Sequence, residues 1–293
     1  MRNEKEMMDI IINIAKEDER IRAVYMNGSR TNPNVPKDIF QDYDIVYVVS
    51  ETSTFVNDEN WINKFGNLLM VQEPDKLDHG IGFDMNFKQR YAYLMLFTDG
   101  NRIDLTLQTK ETMLEVYGKD KLTIPLMDKD DFLPPIPSPT DIDYHVKKPS
   151  EGQFESCTNN FWWCLQNIAK GIWRDELPYA KQMFEYTTRE SLNEMVNWWI
   201  GIEYDFQVST GKMGKYFKGF LPESYWKMYQ ATYSDSSYNN IWDSVFISCE
   251  LFRTLARDVA ESLSYTYPAD DDKNMMEYLQ YVRRLPADAK PIY

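Results

Sequence analysis

Apolar residues recur at helical spacing in the first segment of the chain, where Met7, Met8, Ile11, Ile12 and Ala15 fall between Glu4 and Lys16. Asn3 precedes them with Glu6 three residues on, the pattern of a capping box, so a helix opens the chain. A short apolar run, Ala23 to Met26, then ends at Asn27-Gly28-Ser29-Arg30, which reads as a strand leading into a glycine turn. Beyond a loop containing Pro33 and Pro36, the stretch Asp42 to Val49 is apolar on both faces past Asp44 and is expected to be a central strand. Two more apolar runs, Tyr93–Phe97 and Arg102–Leu107, flank Thr98-Asp99-Gly100-Asn101, and an Asp-Gly pair in that position predicts a β-hairpin. Lys110 to Tyr117 reads as a short helix.

The proline-dense segment Leu133-Pro134-Pro135-Ile136-Pro137-Ser138-Pro139 cannot continue a helix or a central strand, and a linker is expected there. After about Ser150 the period changes to 3.6, over 154–173, 177–187, 191–206, 222–233, 239–264 and 274–284. The expected fold class is therefore α+β: a domain over residues 1–135 with a mixed β-sheet and flanking helices, and an all-helical domain over residues 136–293.

Composition narrows the choice of partners. The 293 residues carry 32 Lys plus Arg against 46 Asp plus Glu, a net charge of −14. Such a field repels a phosphate-rich polymer and attracts a small polycation, which argues against nucleic acid as partner. Three cysteines without a CxxC pair argue against a disulfide framework and a thiolate zinc site, and two histidines leave no credible His-based triad. There is no signal-peptide apolar region and no run of about 18 apolar residues, so a cytoplasmic protein free of the membrane is expected.

The chemistry concentrates in three carboxylates. Side chains alternate along a strand, so Asp42 and Asp44 share a face about 7 Å apart. Asp104 lies in the second hairpin strand, with Ile103 and Leu105 directed to the opposite face. If that strand pairs beside the first in a suitable register, three like charges converge, which is unfavourable unless a cation neutralises them. Oxygen-only ligands suit Mg²⁺, and such sites clamp the oxygens of an in-line displacement at phosphorus. The turn at Gly28 and Ser29 offers backbone N–H groups and a hydroxyl to phosphate oxygens, with Arg30 as a charged contact.

Taken together, Gly-Ser after a strand, a loop, Asp-x-Asp in an apolar strand and a later Asp in a hairpin strand resemble the polymerase-β-like nucleotidyltransferase superfamily. Within it, the blocks at 27–32, 40–45 and 99–107 look like those of the aminoglycoside 6-adenylyltransferases, also called streptomycin adenylyltransferases. Phe161-Trp162, Ala169-Lys170-Gly171, Gly211 to Lys215 and Tyr265-Thr266-Tyr267-Pro268 extend the likeness over nearly the whole chain. One departure is Asn27, where relatives are expected to carry Glu. The resemblance implies a nucleotidyltransferase domain and a helical substrate-binding domain, ATP as donor, Mg²⁺ as cofactor, pyrophosphate as product and the 6-hydroxyl of streptomycin as acceptor. By position Asp42 and Asp44 would hold metal, and Asp104 would complete the cluster as ligand or as proton acceptor. Gly28, Ser29 and Arg30 would grip phosphates.

Lys212 and Lys215 read equally as a solvated basic face and as contacts to nucleotide phosphates. Glu176 is the acid chosen to meet a cationic acceptor. The tryptophans at 162, 163, 173, 198 and 199 read as core, as do Cys157 and Cys164 seven residues apart. A monomer is expected. Two other readings stay open: another antibiotic acceptor such as a lincosamide, and a catalytically silent nucleotide-binding or antitoxin-type relative.

Overall fold

The computed structural model describes residues 1–292. It divides into two compact units, Met1–Asp143 and the chain from Tyr144 onward. The first unit holds six strands, β1 Ile21–Asn27, β2 Tyr43–Val49, β3 Leu68–Gln72, β4 Arg90–Phe97, β5 Arg102–Thr109 and β6 Thr123–Asp128. Four α-helices accompany them: α1 Glu4–Glu17, α2 Ser53–Val56, α3 Pro74–Gly80 and α4 Lys110–Val116. The capping box is formed, with Asn3 and Glu6 each bonded to the other's backbone.

The strands form one mixed sheet in the order β3-β4-β5-β2-β1-β6. Strand β2 lies between β5 and β1 and is parallel to β5, while the other pairs are antiparallel. That interior position explains its burial on both faces. One face carries Tyr43, Ile45, Tyr47, Ile103, Leu105 and Leu107 into a large core beneath α1. The opposite face carries Val46 and Val48 into a smaller core with Tyr25 and Met113 of α4. By the strand alternation Asp44 lies on the smaller-core face, one step beyond Val46.

The periodicity reading missed β3 and β6. Strand β6 contains Pro125, which removes a ladder donor, and it is accommodated because β6 is an edge strand. Strand β3 occupies the other edge and exposes Leu69 and Met70, so neither alternation nor a continuous buried run marks it.

The second unit is helical: α5 Glu151–Trp173, α6 Leu177–Gln182, α7 Arg189–Glu203, α8 Phe217–Phe220, α9 Glu223–Ala231, α10 Tyr238–Leu263 and α11 Ala269–Arg283. A π-helical turn, Met183–Thr188, joins α6 to α7, so two segments read as separate are nearly continuous. Its core includes Phe161 stacked on Phe252 at 3.7 Å between ring centroids. Cys157, Cys164, Trp162, Trp198 and Trp199 are buried as expected. Trp163 is not, with 65% of its surface exposed, because a neighbour on a helix is turned about 100° from the face that Trp162 buries. Among the described residues no helix is long and apolar enough to cross a membrane.

Candidate active site

The parallel pairing of β2 with β5 sets Asp44 directly beside Asp104. Asp42 immediately precedes β2, and one oxygen from each of Asp42, Asp44 and Asp104 lies within 4.8 Å of the others. Among the described residues this is the one group of three or more such side chains close enough to share an ion. The cost of assembling it appears at Asp44: burial, then the charges of Asp42 and Asp104, push its carboxyl up to about 7, against a smaller opposing pull from Arg102.

The glycine turn is built against this carboxylate. Gly28 has φ 77° and ψ −160°, a backbone region essentially restricted to glycine. A Cβ there would stand 2.0 Å from Asp44 Oδ2. Its N–H donates to Leu122 O, and its carbonyl accepts from Thr31. The short 3₁₀ turn Ser29–Thr31 follows, and the first N–H groups of such a turn find no partner within it.

Arg30, the expected phosphate contact, is bonded to its own loop. Its Nε donates to Asp42 O at 3.0 Å and Nη2 to Gln41 O at 2.7 Å, and the guanidinium lies 3.7 Å over the Tyr43 ring. Glu4 is 3.7 Å away, and only 7% of the side chain is exposed. Arg30 thus anchors the carbonyls on either side of the Asp42 Cα and so fixes where Asp42 enters the cluster.

Arg102, which the sequence reading passed over, is the cation of the cluster. Its Nε and Nη2 each donate at 2.6 Å to a different oxygen of Asp104, and Nε is 4.0 Å from Asp42 Oδ2. The signal was present: residues two apart on a strand share a face, so Arg-Ile-Asp places a guanidinium beside the carboxylate. Asn27, opposite Asp44 in the β1–β2 ladder, accepts a hydrogen bond from Thr123 Oγ1 at 2.8 Å.

The remaining chosen residues belong to the second unit. Lys212 and Lys215 are exposed, but they do not share a helical face: Lys212–Gly214 is a 3₁₀ turn, and Met213 and the glycines at 211 and 214 take positive φ. Glu176 is exposed at the turn between α5 and α6, its N–H bonded to Gly171 O.

Comparison with known proteins gives this geometry its context. A family model described as streptomycin adenylyltransferase matches residues 1–282. An aminoglycoside 6-adenylyltransferase from Campylobacter jejuni is 41% identical over 273 residues, 93% of each chain. Proteins of the same name from Bacillus subtilis and Staphylococcus aureus are 37% and 33% identical over 281 residues, 96% of this chain and 98% of theirs. A crystal structure of an aminoglycoside 6-adenyltransferase from Bacillus subtilis aligns with 97% of the chain at 32% identity and a TM-score of 0.48. The chain belongs to the streptomycin adenylyltransferase family of nucleotidyltransferases.

Proposed function

We propose that the protein transfers AMP from ATP to a hydroxyl of an aminoglycoside, the 6-hydroxyl of streptomycin, and releases pyrophosphate. The observation that carries this reading is the cluster of Asp42, Asp44 and Asp104 against the Gly28 backbone, in a chain of this family.

The donor set suits Mg²⁺: three hard carboxylate oxygens within 4.8 Å, no sulfur or imidazole, and a carboxyl at Asp44 that burial and then like charge push upward. Asp42 and Asp44 would hold the ion, with Asp104 completing the set. When bound, the ion supplies charge neutralisation for the phosphates and orients them for in-line attack. The chain's own part is positioning. Gly28 presses its backbone onto Asp44, Arg30 holds the Asp42 peptide, and the N–H groups opening the Ser29 turn face phosphate oxygens. In the transfer, the acceptor oxygen bonds to the α-phosphorus and the bond from that phosphorus to the bridging oxygen breaks. Pyrophosphate leaves with the electron pair, and one oxygen of Asp104 is the proposed acceptor of the hydroxyl proton. No protein nucleophile is required.

A net charge of −14 favours approach of a polycationic acceptor. Lys212 and Lys215 are proposed nucleotide contacts and Glu176 a proposed acceptor contact; substitution of each, followed by measurement of KM for ATP and for streptomycin separately, assigns or removes them. The whole reading is tested by pyrophosphate release with Mg²⁺, each nucleoside triphosphate and a panel of aminoglycosides and lincosamides. Turnover with ATP and streptomycin is expected. Turnover only with a lincosamide would replace the acceptor, and no release with any acceptor would favour a silent relative.

A further inference from the structure

Asp104 is held by Arg102 in a way that bears on every role proposed for it. The guanidinium occupies both oxygens of Asp104 at once, through Nε and Nη2 at 2.6 Å, and reaches toward Asp42 at 4.0 Å. A fork on both oxygens takes one lone-pair position on each, the pair through which a carboxylate would chelate an ion, and a fixed cation there repels a second one. The two arginines of the site differ in how firmly they are held. Arg30 is 7% exposed, bonded to two carbonyls and stacked on Tyr43, whereas the Arg102 side chain is 47% exposed and its polar contacts are to Asp104 and Asp42. Arg30 is part of the scaffold. Arg102 can swing into solvent at the cost of its partly exposed ion pairs with Asp104 and Asp42.

We propose that Arg102 is an exchangeable internal counter-cation: it keeps Asp42, Asp44 and Asp104 assembled before a divalent ion binds, and it must release Asp104 for the ion to enter, so that the two compete. Arg102 is a positioning residue in this scheme, acting on Asp104 rather than on substrate. The inference rests on the reading that these carboxylates hold a divalent ion, and it adds that the site is charge-compensated from within its own strand. Competition has a signature that simple support of Asp104 lacks. Removing a competitor tightens ion binding while loosening the ion-free protein, whereas removing a support weakens both.

The test uses the full chain, freed of metal with EDTA and desalted, with Mn²⁺ as probe and its free ion followed by electron paramagnetic resonance. Arg102→Gln is expected to bind Mn²⁺ about five- to tenfold more tightly than the unaltered protein, the equivalent of about 1 kcal/mol or slightly more. The same variant should melt below the unaltered protein in EDTA. Arg102→Lys should fall between the two in Mn²⁺ affinity, because an ammonium keeps the charge without the fork. Mn²⁺ binding by Arg102→Gln that equals or falls below that of the unaltered protein would overturn the competition. Failure of the unaltered protein to bind Mn²⁺ at millimolar concentration would instead overturn the ion site itself, and the inference with it. Neither readout depends on turnover.

Discussion

Asp44 is expected to lower the stability of the ion-free protein, and Asp44→Asn should reveal it. In the fold its carboxyl is pushed from 3.8 to about 7, so the folded state favours the protonated form. The unfolded chain gains free energy by ionising this group as pH rises past about 4, and the folded chain does not follow until about pH 7. Stability is therefore present at low pH, declines through that window, and is lowest above it. The rise corresponds to about 4 kcal/mol. Partial solvation of the cluster reduces the expected effect to about 2 kcal/mol. For a chain of this size that is roughly 5 °C in the melting of the first unit. Asparagine has the same shape and no charge, so it fits against Gly28. Melting followed by calorimetry in EDTA should place Asp44→Asn about 5 °C above the unaltered protein at pH 8, with the gap narrowing by more than half at pH 5. The same variant should lose AMP transfer. A variant that melts at or below the unaltered protein at pH 8 would refute the claim that like charge and burial strain this carboxyl.

Gly28→Ala combines a disfavoured backbone with a methyl group 2.0 Å from Asp44 Oδ2, so a loss of about 3 kcal/mol or more and of nearly all transfer is expected; near-normal kcat in a well-folded variant would show that the turn tolerates a side chain. Arg30→Ala removes the anchor of the Gln41–Asp42 peptide, and about 2 kcal/mol of stability with at least a tenfold loss of kcat should go with it. If Arg30 instead gripped phosphate directly, the change would fall on KM for ATP with the melting temperature unaltered. Phe252→Ala empties the stack on Phe161 in the helical core and should cost about 3 to 5 kcal/mol by urea unfolding; a cost under 1 kcal/mol would mean that the core closes over the gap.

Local pattern was enough for the elements whose signal is self-contained. The capped first helix, the β2 run, the hairpin around Asp99-Gly100 and the long helices of the second unit all follow from periodicity and turn chemistry, and all are present. Asp42, Asp44 and Asp104 could be grouped from alternation and from the cation that such a group demands. Edge strands were less legible: β3 and β6 owe their existence to pairing with β4 and β1, and their own residues, an exposed Leu-Met pair and a proline, point elsewhere.

What the chain dictates by itself is short-range: which segments are strands, which residues share a face, where glycine must bend the backbone. The tertiary structure decided the rest, because register between segments sixty residues apart is set by packing of the whole sheet. Only the parallel β2–β5 pairing puts Asp44 beside Asp104. Only the closed loop turns Arg30 back onto the Gln41 and Asp42 carbonyls instead of outward. The fork of Arg102 on Asp104 belongs to both: the two-residue spacing aligns the pair, and the convergence of three acids gives the guanidinium its place.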